Sequence, residues 1–310
     1  MNSQSVARPW GPPEEEALHF LARRALDEDL NSPDGRRGDA TSLALVPESL
    51  RGQAWFVSRV EGRVAGLPAL KRIFELVDSS AEVTITAPEG GSIRPGDRLA
   101  KVAGPMRALL AAERTALNFL QRLSGVATQA EKYVRLVNDL ACVVLDTRKT
   151  TPGWRVLEKY AVRMGGATNH RMGLGDGILI KDNHLAALSG TAVATPAIVA
   201  RATRQAGEYA REHPGLSVEV EVDNLEQFEA ALAAGPDVIL LDNFTLEMLR
   251  KAVALRDRAM PAVRLEASGG VRLETLRAVA QTGVDRVSIG ALTHQATSID
   301  IGLDYEPPPA

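Results

Sequence analysis

Residues 218–243 read VEVEVDNLEQFEAALAAGPDVILLDN, and their reading decides the fold. Valines at 218, 220 and 222 alternate with glutamates at 219 and 221, the two-residue period of a strand. NLEQFEAALAAG then reads as a helix ended by glycine, and DVILLDN as a second strand. A strand, a helix and a strand in so short a run make a parallel pair with a right-handed crossover. The pattern recurs on both sides. CVVLD (142–146), GILIKD (177–182), VRLEASGG (263–270) and VDRVSIG (284–290) are strand-like, and RLETLRAVAQTG (272–283) is helical. Six clear strands rather than eight predict an incomplete, six- to seven-stranded α/β barrel.

Before residue 124 the style differs. Leu18, Leu21, Leu26 and Leu30 recur at helical spacing behind an acidic start, which predicts a helix over 14–30. AWFVSRV (54–60) and EVTITAP (82–88) read as strands, EGGSIRPGDRLAKV (89–102) as two strands joined through a PGD turn, and PMRALLAAERTALNFLQR (105–122) as a long helix. These divide the chain into an N-terminal α/β domain at 1–123 and a barrel domain at 124–294. The tail 295–310 is expected to return to the first domain, with YEPPPA at its end disordered.

Composition excludes several classes. The chain has 310 residues, 45% of them hydrophobic, and a formal net charge of −3, so a large basic surface for nucleic acid or membrane is not expected. One cysteine, Cys142, lies within a β-branched run and reads as core packing, suiting a reducing compartment. MNSQSVARPWGPPEEE lacks the apolar stretch of a signal peptide, and no apolar run reaches the ~18 residues of a membrane helix. The expected location is the cytoplasm.

The polar residues follow a positional rule. Asp146, Lys181, Asp182, Glu221, Asp223, Asp242, Asn243, Ser268 and Gly290 all stand at or just past the C-terminal ends of strand runs, the rim where α/β barrels bind ligands. Between Asp146 and His184 there are seven Lys or Arg against four acids. Arg155, Lys159 and Arg163 share a helical face and read as solvated. Arg148 and Lys149 at one strand end, Asn169–Arg171 in a glycine-flanked loop and Lys181 at the next strand end read as a bound-anion site.

Glu219, Glu221 and Asp223 share one strand face, and carboxylates inside a barrel wall need cations or a metal. With Asp242 they could hold Mg²⁺, bind sugar hydroxyls, offset a positive transition state, or pair with Lys149 or Lys181. SGGV (268–271) and SIGAL (288–292) supply small residues where backbone N–H groups can approach a phosphate. His170 reads as a substrate contact and His184 as structural, and no histidine pair has zinc spacing. A Schiff-base lysine at Lys149 or Lys181, or phosphate binding without turnover, stays open at this point.

ERTALNFLQRLSGVAT (113–128), DTRKTTPG (146–153), NHRMGLGDGILIKDNH (169–184), VEVEVDN, LLDNF, EASGG and SIGALTH closely resemble the quinolinate phosphoribosyltransferases, in order and over nearly the whole chain. The resemblance implies the type II phosphoribosyltransferase architecture, an N-terminal α/β sandwich on an incomplete α/β barrel. It also implies conversion of quinolinate and phosphoribosyl diphosphate to nicotinate mononucleotide, CO₂ and diphosphate with Mg²⁺, in NAD synthesis. It gives Arg114, Thr147, Arg148, His170, Arg171 and Lys181 to the substrate, with Lys149 shared between quinolinate and diphosphate. Lys149, Glu221 and Asp242 are expected to be catalytic, the two carboxylates also as metal and ribose ligands. Ser268, Gly269, Gly270 and Gly290 are expected to cradle the 5′-phosphate. The resemblance further implies a homodimer, open to assembly into a hexamer, in which Arg114 serves the neighbouring subunit's site. Ala167 departs from the glycine that many relatives carry. A paralogue acting on another heteroaromatic acid is the alternative within the family.

Overall fold

The computed structural model describes residues 8–31, 35, 37–191 and 194–306. The chain forms two compact units that alternate along the sequence. One gathers residues within Met1–Glu131, Thr150–Gly166 and Leu292–Ala310, and the other takes Lys132–Lys149 and Ala167–Ala291. Among the described residues no helix is long and apolar enough to cross a membrane.

Twelve strands occur among the described residues. The first unit holds β1 (Arg51–Ser58), β2 (Gly62–Arg63), β3 (Glu82–Ile85), β4 (Ser92–Ile93) and β5 (Arg98–Pro105). The second holds β6 (Val143–Leu145), β7 (Ile178–Ile180), β8 (Val218–Val222), β9 (Val238–Asp242), β10 (Arg264–Ser268) and β11 (Arg286–Ser288), and β12 (Ile301–Glu306) returns to the first.

In the first unit the sheet order is β12-β1-β5-β3, antiparallel throughout. Ala54 and Phe56 of β1 are fully buried, and Phe56 meets Phe74 edge-on with ring centroids 6.1 Å apart. Phe74 comes from the helix Leu67–Val77, which also buries Leu67, Leu70 and Ile73. An aromatic pair of this kind adds about 1 kcal/mol beyond the area it removes from water.

Three expectations change here. β4 and β5 flank the turn at Arg94–Asp97 but do not pair with each other: β4 joins β2 and β5 joins β1 and β3. The tail is not disordered at its start, because Tyr305 and Glu306 belong to β12 and pair with Ala54 and Gln53; residues 307–310 lie outside the described residues. The face of Arg155, Lys159 and Arg163 is not solvated. The helix Arg155–Met164 buries Leu157 through Val162, Lys159 is 0% exposed, and Arg163 donates to the buried Glu14 at 2.9 Å. Cations at helical spacing meet internal acids as readily as water when the helix is enclosed.

The long helix runs from Met106 to Arg135, so the expected division at 123/124 falls inside it. Gly125 is no break: a Cβ there would collide with the carbonyl of Thr297. Glycine lets the C-terminal segment lie against the helix backbone.

The second unit is a six-stranded parallel sheet in the order β6-β11-β10-β9-β8-β7. All six strands fall on the six runs of the sequence. The terminal strands β6 and β7 do not pair with each other, and a single bridge from Leu145 to Thr168 lies beyond β6. The crossover helices start on polar caps, Asn224 accepting from Gln227 N at 2.9 Å and Thr245 from Met248 N at 3.2 Å, each cap worth ~1 kcal/mol. Register puts Glu221, Leu240, Glu266 and Arg286 in one row, with Asp242 opposite Ser268 one step nearer the C-terminal end.

Candidate active site

Strand ends bring the basic residues together through Asp146. Its carboxylate is fully buried just past β6 and accepts from His170 N at 2.8 Å and Asn169 Nδ2 at 2.7 Å. The Asn169–Arg171 loop is thereby fastened beside Thr147 and Arg148. The same loop is closed from the far side by Asp176, which accepts from Met172 N and Gly173 N. Arg171 donates from Nη1 to Gly177 O at 2.9 Å.

Arg148 Nε is buried without a hydrogen-bond partner. Burial, and next the guanidinium of Arg148, lower the pKa of Arg171 from its usual value. Two neighbouring guanidiniums with an unspent buried donor have the chemistry to receive a planar anion.

Lys181 lies with the acids. Its ammonium is paired to Glu221, and it also acts on Asp242, as does Lys149. Burial first, then the charges of Asp242 and Asp182, raise Glu221 above the usual carboxylate range, against the opposing pull of Lys181. Asp242 is raised likewise by burial and by Asp223 and Asp182, while Lys181 and Lys149 lower it. Thus the rim carries two groups, Arg148 with Arg171 and the lysines with Glu221 and Asp242. Thr147 Oγ1 accepts from Lys149 N at 3.1 Å. Arg114 is exposed on the helix Met106–Arg135 of the other unit.

The glycines past β10 are conformationally required. Gly269 and Gly270 have φ of 87° and 60°, and a Cβ on Gly269 would collide with the side chain of Asn243. Asn243 is itself left-handed, with φ 55°, and donates from Nδ2 to Asp242 Oδ2 at 2.7 Å. The turn therefore aims Asp242 and opens backbone N–H groups beside Ser268. Gly290 stands two residues past β11. His184 Nδ1 accepts from Lys181 N at 2.9 Å, a helix-start contact that fits its structural reading.

Below the rim lies a polar group that the sequence only hinted at. Glu219 is 5% and Glu266 0% exposed. His170 Nε2 is 3.1 Å from Glu219 Oε2 and 3.6 Å from Glu266 Oε1, and Arg286 Nη1 is 3.7 Å from Glu266 Oε2. Burial and then the charge of Glu219 push Glu266 up to about 7. Alternation had placed Glu219 on this face; only tertiary packing adds Glu266, Arg286 and His170. Cys142 is buried as expected, and burial pushes its thiol up to about 12, which leaves it inert.

Models of the quinolinate phosphoribosyl transferase N-terminal domain and C-terminal domain match residues 39–124 and 126–304. The chain belongs to the quinolinate phosphoribosyl transferase family. The chain is 42% identical over 292 residues to the nicotinate-nucleotide pyrophosphorylase [carboxylating] of Mycobacterium leprae, covering 93% of this chain and 97% of that one. The Arabidopsis thaliana chloroplastic protein of the same name is 37% identical over 307 residues, 93% of this chain and 83% of its own. Among solved structures, the nicotinate-nucleotide pyrophosphorylase from Francisella tularensis superposes with a TM-score of 0.82 at 33% identity, covering 98% of this chain and all of that one. The type II phosphoribosyltransferase architecture expected from the motifs is the fold found, a sheet domain with a parallel α/β domain.

Proposed function

We propose that this member of the family transfers the phosphoribosyl group of phosphoribosyl diphosphate to quinolinate with decarboxylation, giving nicotinate mononucleotide, CO₂ and diphosphate for NAD synthesis. The single observation behind this reading is the buried, unpartnered Arg148 Nε beside Arg171. Quinolinate carries two adjacent carboxylates, and fixed guanidiniums offset their repulsion from a polyphosphate. Thr147, Arg148, Arg171 and His170 serve the carboxylate side, with Lys181 and Lys149 between it and the diphosphate. The N–H groups around Ser268, Gly269, Gly270 and Gly290 take the 5′-phosphate.

The chemistry follows from charge. The ring nitrogen forms a bond to ribose C1 as the C1–O bond breaks and its electron pair leaves on diphosphate. Glu221 and Asp242 face the positive charge that develops at C1. The resulting pyridinium then stabilises the electron pair left at C2 when the C2 carboxylate departs as CO₂, and a proton from water completes the product. The protein mainly orients two anions and screens them. Glu221 and Asp242 also fit Mg²⁺, being half-buried hard oxygen donors whose mutual repulsion and that of the neighbouring acids a cation would offset. When bound, the ion would draw negative charge from the diphosphate. Arg114, exposed on its helix, would serve a second copy's site in a homodimer, with a hexamer as the further assembly. The working location is the cytoplasm.

The ion pair of Lys181 with Glu221 suits a screening ammonium better than a Schiff-base nucleophile. Incubation with phosphoribosyl diphosphate and either pyridine acid tests the reaction. Quinolinate should give nicotinate mononucleotide and CO₂ in equal amounts, and nicotinate should give no product. Product from nicotinate without CO₂, or none from quinolinate, would refute the assignment.

A further inference from the structure

We propose that Glu219 is a positioning residue for Arg171, acting through the imidazole of His170. The proposal rests on the reading of Arg148 and Arg171 as the quinolinate site and names what holds one of them in place.

Hydrogen-bond direction fixes the ring. Arg171 N donates to His170 Nδ1 at 2.8 Å, so Nδ1 presents its lone pair and the ring proton sits on Nε2. That N–H points to Glu219 Oε2 at 3.1 Å, and Glu219 is 5% exposed on the inward face of β8. Both ring nitrogens are thus engaged inside the protein. Through these bonds His170 holds the backbone of Arg171. Asp146 completes the clamp by accepting from His170 N.

The arrangement places a three-part chain from the barrel floor to the anion site: carboxylate, imidazole, arginine backbone. The side chain of Arg171 then needs only its bond to Gly177 O to be aimed beside Arg148. A supporting group that locks a binding residue in this way acts on one ligand and spares another bound elsewhere. The phosphate-facing glycines past β10 and the Lys181–Glu221 pair do not belong to this chain of bonds. Ligand atoms of His170, Glu219 and Glu266 lie within 4.8 Å of one another, so a divalent cation is the competing explanation of the cluster. Arg286, 3.7 Å from Glu266, already supplies a fixed positive charge there.

Steady-state kinetics of Glu219→Ala and Glu219→Gln test the proposal, with thermal melting of each. Glu219→Ala should raise the KM for quinolinate about tenfold or more, the scale of misplacing a binding group, while the KM for phosphoribosyl diphosphate stays within about twofold. Glu219→Gln keeps an oxygen acceptor for Nε2–H and should restore most of the loss. The double variant Glu219→Ala with His170→Ala should be no worse than His170→Ala alone, because the two act in series. Should Glu219→Ala not fold, ¹⁵N NMR of His170 in the wild-type protein decides the point: protonated Nε2 and bare Nδ1 are required. Both KM values rising together, Gln as damaging as Ala, additive losses, a proton on Nδ1, or a stoichiometric transition metal in the purified protein would each overturn it. A wild type without quinolinate turnover would instead refute the transferase reading, and the NMR result would still judge the positioning role.

Discussion

Replacing Arg148 with alanine should weaken quinolinate binding by about 2 kcal/mol or more, roughly thirtyfold in Kd, because the substrate's carboxylate loses a charged partner in a partly buried site. Stability should hold or rise. In the absence of substrate, Arg148 Nε satisfies no acceptor and its guanidinium acts unfavourably on that of Arg171, so its removal relieves repulsion rather than breaking a bond. Calorimetric titration with quinolinate and a melting curve give the two numbers. A Kd within twofold of wild type would show that the anion binds elsewhere.

The second large effect concerns stability. Glu158 is 0% exposed and accepts from Arg122 Nη2 at 2.5 Å and Nε at 3.1 Å, as well as from Thr151 N and Oγ1. Arg122 also donates to the carbonyls of Thr293 and Ala296, joining the long helix to the C-terminal segment within the first unit. Arg122→Met leaves a buried carboxylate without its cation, which costs about 3–5 kcal/mol. Glu158→Gln in the same chain should recover much of that loss, since the stranded charge is gone even though the carbonyls remain short of a donor. Urea unfolding reads both, and a loss below about 1 kcal/mol for Arg122→Met would mean that water reaches Glu158.

Much of this was legible in the chain because periodicity reports burial. VEVEV, VILLD and their counterparts fixed all six parallel strands, and polar residues clustered after them marked the rim. Lys159 shows where periodicity stops being informative. Its i, i+4 spacing with Arg155 and Arg163 is the same whether a helix faces water or lies enclosed, and only the surrounding packing decides. The strand of Ile301–Glu306 was invisible for another reason: its partner β1 lies some 250 positions earlier, and an edge strand before PPPA resembles a tail. Gly125 is a close-packing position inside a helix, which one glycine in a sequence does not announce.

At the site, residue types were readable and their pairings were not. DTRK and NHR announced cations, but that Asp146 fastens the second motif beside the first requires both strand ends in space. The pairing of Glu221 with Lys181 stood among several readings of that acid, and only the folded chain selects it. His170 carries the clearest lesson, since a histidine between an asparagine and an arginine gives no sign that both of its ring nitrogens meet partners within the protein.

We propose that Arg148 and Arg171 form one receptor for adjacent carboxylates at the C-terminal end of the barrel strands. A crystal structure with quinolinate bound is the decisive measurement. A substrate carboxylate should lie within hydrogen-bond distance of Arg148 Nε and of the Arg171 guanidinium, with His170 still between Glu219 and the Arg171 backbone. Quinolinate found away from both arginines, or the two guanidiniums turned apart around it, would contradict the claim.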